Sequence, residues 1–266
     1  MSNDKPLPTL STHLNRIEVL GCPMDVLTMA DTVSYITDRV KNRQFTQHVV
    51  VNVAKIINMR SDLALNTSVR NCDIINIDGM GVVLGARILG HEVSERVAGV
   101  DLFDSLLKMS AKLSFPIYLL GATDEVVNET RRRVELLYPG LIVAGHHNGY
   151  FWDDEAAIVE KVCASGARLL FIAITSPKKE NFIDKWKDQL GVDFVMGVGG
   201  TFDVVAGKIS RAPLWMQNYG LEWLYRVIQE PRRMWRRYLF TNAKFAWILF
   251  IEKMKGLGSR LKLPKN

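Results

Sequence analysis

The chain has 266 residues, 48% of them hydrophobic, enough to bury one sizeable core or two small ones and too apolar for a disordered or fibrous protein. Three widely spaced cysteines (Cys22, Cys72, Cys163) with no Cys-x-x-Cys pair exclude a disulfide framework and a zinc site, and read as reduced thiols of a cytoplasmic protein. The net charge of +6 is uneven: residues 231–266 carry +9, and residues 1–230 sum to −3. Such asymmetry calls for a polyanionic partner. The polar N-terminus has no apolar segment of the kind a signal peptide carries, and no run of eighteen apolar residues occurs, so neither a signal peptide nor a transmembrane helix is expected.

In chain order, HVVVNV (48–53) reads as a buried strand followed by a helix to about Ala64, and CDIINI (72–77) as a strand followed by a helix over 81–89. FPIYLLGA (115–122) is a strand before a helix over 124–137, and LIVAGHHNGYF (141–151) a strand and loop before a helix over 155–165. ARLLFIAI (167–174) precedes a helix over 179–189, and DFVMGVGG (193–200) is the last strong strand. Continuous apolar strands alternating with helices predict an α/β fold, a Rossmann-like, mostly parallel sheet with helices on both faces. In such sheets ligands bind beyond the carboxyl ends of the strands.

The candidate residues therefore lie at strand ends. Asn52 follows the first strand. Asp78 follows the second, in Ile77-Asp78-Gly79-Met80-Gly81; it either accepts a proton from a ligand hydroxyl or caps the next helix. Gly121, before Thr123, either presents backbone N–H groups to a phosphate or serves the turn. In Pro177-Lys178-Lys179-Glu180 the lysines face a phosphate and Glu180 orients a hydroxyl, or all three sit in a solvated first turn. Gly199 and Gly200 precede a helix capped by Thr201 and form an anion pocket, with Asp203 in or beside it. This is not G-x-G-x-x-G, which counts against a dinucleotide site. No Asp-x-Asp occurs, Asp153–Asp154 reads as a helix start, and the five histidines lack zinc spacing, so no metal is expected.

Residues 214–230 read as one amphipathic helix rich in Trp and Tyr, interrupted by Pro231. In the following segment Arg232, Arg233, Arg236 and Arg237 recur at spacings that share a helix face, among Trp235, Tyr238, Phe240, Phe245, Trp247 and Phe250. This predicts two units, an α/β domain over 1–230 and a basic amphipathic C-terminal helical appendage over 231–266 that lies at an anionic membrane surface. The same arginines suit a diphosphate. No nucleic-acid-binding module accompanies them.

The ordered strings IDGMGVVLGARILG, ERVAGVDL, LLGAT, GYF, SPKKE, GVGGTFDVVAGK, RAP and GLEWLYRVIQEPRR resemble the WecG/TagA/CpsF glycosyltransferase family over about residues 17–240. The resemblance implies an inverting, metal-independent transferase without a cofactor. Its substrates would be a UDP-sugar donor and an acceptor sugar on undecaprenyl diphosphate, in surface polysaccharide synthesis at the inner face of the bacterial inner membrane; homo-oligomerisation is left open. It assigns Asp78 as catalytic base. Asn52, Gly121, Pro177, Lys178, Glu180, Gly199, Gly200 and Asp203 fall to the donor, and Arg226, Arg233 and Arg236 to the acceptor diphosphate. Three departures stand out: Val50 replaces a threonine of the teichoic-acid branch, Thr175–Glu180 lacks the Gly and Gln of the family's G-x-P-[KR]-Q-E, and Val53-Ala54-Lys55 replaces N-A/P-E. They suggest the exopolysaccharide branch and a hexose donor such as UDP-glucose. The rival readings are a nicotinamide-dependent enzyme and a non-enzymatic membrane-surface scaffold.

Overall fold

The computed structural model describes residues 14–261; the side chains of Arg233, Arg237 and Arg260, and all of Lys262 and Lys265, lie outside what it describes. In chain order the elements are β1 (Arg16–Val19), β2 (Cys22–Asp25), α1 (Met29–Lys41), β3 (Thr46–Val51), α2 (Val53–Met59), α3 (Leu63–Arg70), β4 (Ile74–Ile77) and α4 (Met80–Ile88). Then come α5 (Gly99–Leu113), β5 (Ile117–Gly121), α6 (Asp124–Leu137), β6 (Val143–His147), α7 (Glu155–Ala164), β7 (Leu169–Ala173), α8 (Lys178–Trp186) and β8 (Phe194–Gly197). The chain ends with α9 (Thr201–Val205), α10 (Leu214–Asn218), α11 (Glu222–Gln229) and α12 (Pro231–Leu261).

Among the described residues one sheet forms, in the order β1-β2-β4-β3-β8-β7-β5-β6, parallel except for the β1–β2 hairpin. Alternate strand residues bury on opposite faces. Ile74, Leu119, Phe171, Phe194 and Met196 meet α1, α5, α6 and α9. On the other face Val49, Val51, Ile75 and Ile77 meet α2, α3 and α4, and Leu120, Leu170, Ile172 and Val195 meet α7 and α8. Both faces are covered, which accounts for the continuous apolar strands.

The sheet matches the expected fold, with additions. The β1–β2 hairpin, α1 and α5 lie outside the predicted elements. The helix predicted after β3 is two helices, because Asp62 starts α3 by accepting from the Leu65 amide at 2.9 Å. The single helix expected over 214–230 is broken at Gly220, which takes φ +71° between α10 and α11. Pro231 opens α12, where its missing N–H costs nothing. That helix lies on the α/β unit: Met234 and Phe245 are buried, the Phe245 ring packs on Gly85 of α4, and Lys253 donates to the Ile88 carbonyl at 2.6 Å. Among the described residues no helix is long and apolar enough to cross a membrane.

Candidate active site

Because the strands run parallel, Asn52, Asp78, Gly121, Pro177 and Gly199 all sit at one edge of the sheet. The strand order turns at β3, with β4 on one side and β8 on the other, so Asn52, Asp78 and Gly199 flank the switch point where open α/β sheets bind ligands.

Asp78 is partly buried and anchored, its amide donating to the Val51 carbonyl at 2.8 Å. It does not cap α4: the N-cap is Gly79, at φ +117°, and no side chain bonds there. That backbone angle demands glycine and frees the preceding carboxylate from the helix end. Burial raises the Asp78 pKa above its ordinary value, Glu222 pushes in the same direction, and Arg96, Arg226 and a hydrogen bond from the Gly99 amide pull against it. A carboxylate moved toward neutrality is a better base at neutral pH than an ordinary one.

Asn52 caps α2, its Oδ1 accepting from the Lys55 amide at 3.0 Å. It lies beside Asp78's turn, since a Cβ on Gly79 would stand 3.9 Å from its own Cβ. Gly199 adopts φ +54° with open space above it. The N-cap of α9 is Gly200; Thr201 is instead the first helical residue, its hydroxyl donating to the Val198 carbonyl at 2.8 Å. Asp203 is partly buried, its Oδ2 3.8 Å from where a Gly200 Cβ would be.

The remaining candidates divide. Gly121 is required by packing, because a Cβ there would meet the Ala173 carbonyl oxygen at 2.5 Å. Pro177 is the N-cap residue of α8, and exposed Lys178 stacks its ammonium 4.9 Å over the Trp152 ring. The solvated first turn is wrong for the next two residues: Lys179 and Glu180 are buried, and Glu180 accepts from Lys55 at 2.7 Å and pairs with Lys179 at 2.8 Å. Arg226 is exposed on α11, yet its charge reaches Asp78. Arg236 is exposed on α12, over the Trp235 ring. Arg233 lies on α12, its side chain outside the described ones.

Further residues tie the C-terminal helices to this edge. Arg211 forms a two-pronged bond to Asp101 of α5, at 2.5 and 2.7 Å, and reaches Glu222 at 3.4 Å. Glu222, first residue of α11, binds Arg96 at 2.5 Å. Gly220 closes on α4's first residue: a Cβ there would meet Met80 Cβ and Cγ at 2.5 Å. The chain between α9 and α12 is thus held directly against the Asp78 turn.

These contacts join strings that are far apart in sequence. ERVAGVDL supplies Arg96, Gly99 and Asp101, RAP supplies Arg211, and GLEWLYR supplies Gly220, Glu222 and Arg226. The family model described as "Glycosyl transferase WecG/TagA/CpsF family" matches residues 17–258, which include every one of them. The chain belongs to the WecG/TagA/CpsF glycosyltransferase family. Two relatives are each named N-acetylglucosaminyldiphosphoundecaprenol N-acetyl-beta-D-mannosaminyltransferase. The one from Bacillus spizizenii is 37% identical over 169 residues, covering 64% of this chain and 65% of the relative. The one from Bacillus subtilis is 33% identical over 178 residues, covering 67% and 69%. The chain thus spans about two thirds of the length of these relatives.

Arg96, Asp101, Arg211 and Glu222 were absent from the sequence-based candidates of this WecG/TagA/CpsF member. Their only signal was opposite charge in separate strings, and one sequence does not say which cation meets which carboxylate. Among the described residues no group of three or more His, Cys, Asp or Glu side chains is arranged to hold a metal.

Proposed function

We propose that the protein transfers a sugar, with inversion, from a UDP-sugar to a sugar carried on undecaprenyl diphosphate, at the inner face of the bacterial inner membrane, in surface polysaccharide synthesis. The observation that carries this reading is the raised, cation-flanked carboxylate of Asp78 at the sheet's switch point in a member of this family. The acceptor class draws support from the relatives, whose name specifies an N-acetylglucosaminyl diphosphoundecaprenol. The same name favours an N-acetylhexosamine donor, whereas Val50 and Lys179 favour a plain hexose.

The chemistry is a single displacement. Asp78 takes the proton of the acceptor hydroxyl while that oxygen attacks the anomeric carbon and UDP leaves. Negative charge grows on the leaving diphosphate, and fixed donors aimed at it lower the barrier. The amides of the open Gly199–Gly200 turn and the guanidiniums of Arg226, Arg233 and Arg236 are the groups for this role, at donor or acceptor diphosphate. Asn52, Pro177, Lys178 and Asp203 complete the donor side, with Gly121 shaping the adjoining strand end.

The membrane reading draws on the surface of the C-terminal helices. Trp215, Tyr219, Trp235, Trp247 and Phe250 are exposed, as are Arg232, Arg236 and Lys244. Aromatic and basic side chains together suit a headgroup boundary over anionic lipid.

Asp78→Asn tests the base. It is expected to lower turnover on a lipid-linked acceptor by about 10²-fold or more while leaving UDP binding intact. A variant with near wild-type kcat would remove Asp78 from the chemistry. Turnover across UDP-glucose, UDP-N-acetylmannosamine and its uronic acid decides the sugar.

A further inference from the structure

After β6 the chain turns back over the end of β5 in a loop, 148–152, that the displacement above does not use. Four of its five residues fix its shape. Asn148 Oδ1 accepts from the Tyr150 amide at 2.8 Å, and its Nδ2 donates to Asp124 Oδ1 at 2.8 Å. The Gly149 amide donates to the Ala122 carbonyl at 2.9 Å, an approach so close that a Cβ on Gly149 would stand 3.3 Å from the Gly121 Cα and the Ala122 nitrogen. Phe151 is buried, its ring edge-on to Phe182 of α8 at 5.3 Å. Trp152 stacks on Phe151 at 5.0 Å and carries the Lys178 ammonium at 4.9 Å. The loop is therefore pinned on one side to the turn after β5 and on the other to the turn before α8.

The fifth residue, Tyr150, lies between these attachments and is 74% exposed. Among the described residues its side chain has no hydrogen-bond or ring partner. A phenol ring held out in water on a fixed backbone gains no burial in the free protein, and it loses little freedom when a flat partner covers it. Its place along the edge of the sheet names that partner. The strands run β4, β3, β8, β7, β5, and Asp78, Asn52, Gly199, Lys178 and the Tyr150 loop stand at their ends in that order. A sugar nucleotide is linear: anomeric carbon, diphosphate, ribose and base follow one another. With the carbon at Asp78 and the diphosphate at the Gly199–Gly200 turn after β8, the ribose and base continue over β7 and β5. The loop lies two strand spacings beyond β8, about 10 Å, where the base arrives.

We infer that Tyr150 is the platform on which the nucleobase of the donor stacks. This rests on the UDP-sugar reading above and deepens it. Stacking tolerates any base, because each has a π-face, so Tyr150 supplies affinity and placement and not the choice of uracil. A base seated there anchors the far end of the donor and holds the diphosphate against the Gly199–Gly200 amides.

Calorimetric titration of the full chain tests it, with UDP, uridine and inorganic diphosphate, on the wild type, Tyr150→Ala and Tyr150→Phe. Tyr150→Ala is expected to lose about tenfold in affinity for UDP and for uridine and none for inorganic diphosphate, while Tyr150→Phe stays within about threefold of wild type for all three. Because the ring is exposed, both variants should keep the wild-type thermal midpoint. Unchanged UDP affinity in Tyr150→Ala, a loss that includes inorganic diphosphate, or a loss in Tyr150→Phe equal to that in Tyr150→Ala overturns the platform while leaving the UDP-sugar reading in place. A wild type that binds no UDP overturns both.

Discussion

Gly220→Ala isolates the docking of the C-terminal helices from the stability of the sheet. Gly220 sits at φ +71°, where an L-residue costs about 1–2 kcal/mol. The new Cβ would also stand 2.5 Å from both Cβ and Cγ of Met80, with the Met80 Cα at 3.9 Å. Cγ can swing aside, but Cβ moves only with the first residue of α4, which follows Asp78 and Gly79 directly. Overpacking of that kind costs about 1–3 kcal/mol, so the sum is about 2–5 kcal/mol. Undocking the segment that holds α10 and α11 relieves all of it, at the loss of the Arg96–Glu222 and Arg211–Glu222 pairs, which are partly exposed and individually weak. The expected outcome is a displaced α11, with Arg226 carried away from Asp78, and a loss of kcat/KM of about tenfold or more on lipid-linked acceptor. Far-ultraviolet circular dichroism should stay close to wild type, since the sheet is not touched. Full activity in Gly220→Ala would refute the idea that this contact seats α11 beside Asp78. Global unfolding would refute the separation of appendage from sheet.

Other perturbations probe charge. Because burial raises Asp78, the acidic limb of kcat/KM should lie above the ordinary carboxylate range; Glu222→Gln removes a charge that pushes in the same direction, so the limb should move to lower pH, and an upward or absent shift counts against the assignment. Burial alone would raise Glu180, but Lys55 and Lys179 outweigh it and hold the carboxyl at about 2 against an ordinary 4.5. The linked stability, about 3 kcal/mol, is therefore fully present above pH 4.5 and lost as pH falls toward 2. Acid denaturation curves of Glu180→Gln should lack this component, and a wild-type curve no steeper than the variant's would refute it. Replacing exposed Arg232, Arg236 and Lys244 with Gln should weaken sedimentation with anionic vesicles by about 3 kcal/mol, more than a hundredfold, with the thermal midpoint unchanged. Undiminished sedimentation would remove these side chains from membrane binding.

The sheet was legible because its strands are buried on both faces and so read as unbroken apolar runs. The β1–β2 hairpin was not: its second strand, Cys22–Asp25, contains a proline and a buried aspartate, and Asp25 is tolerated because Arg16 pairs with it at 2.8 Å and the Ile75 amide donates to it at 2.8 Å. Asp78 was visible by position, but whether it caps the next helix was not. That turns on a Gly79 backbone angle and on Gly99, twenty-one residues further on. The break at Gly220 hid inside an amphipathic pattern that favoured one continuous helix. The positive φ and the Met80 contact together make glycine compulsory there.

Placement of Asp78 and placement of α11 follow from one arrangement. The residue that pushes the Asp78 pKa up, Glu222, is the residue that ties α11 to Arg96 and Arg211. The two cations that pull it down, Arg96 and Arg226, lie at the partner of that tie and one turn along the same helix. Lifting α11 would take Glu222 and Arg226 away together and leave Arg96 unpaired beside the carboxylate. An unpaired arginine favours the ionised carboxylate, while the loss of Arg226 acts in the opposite direction. The electrostatic surroundings of Asp78 are therefore set in part by two residues of α11.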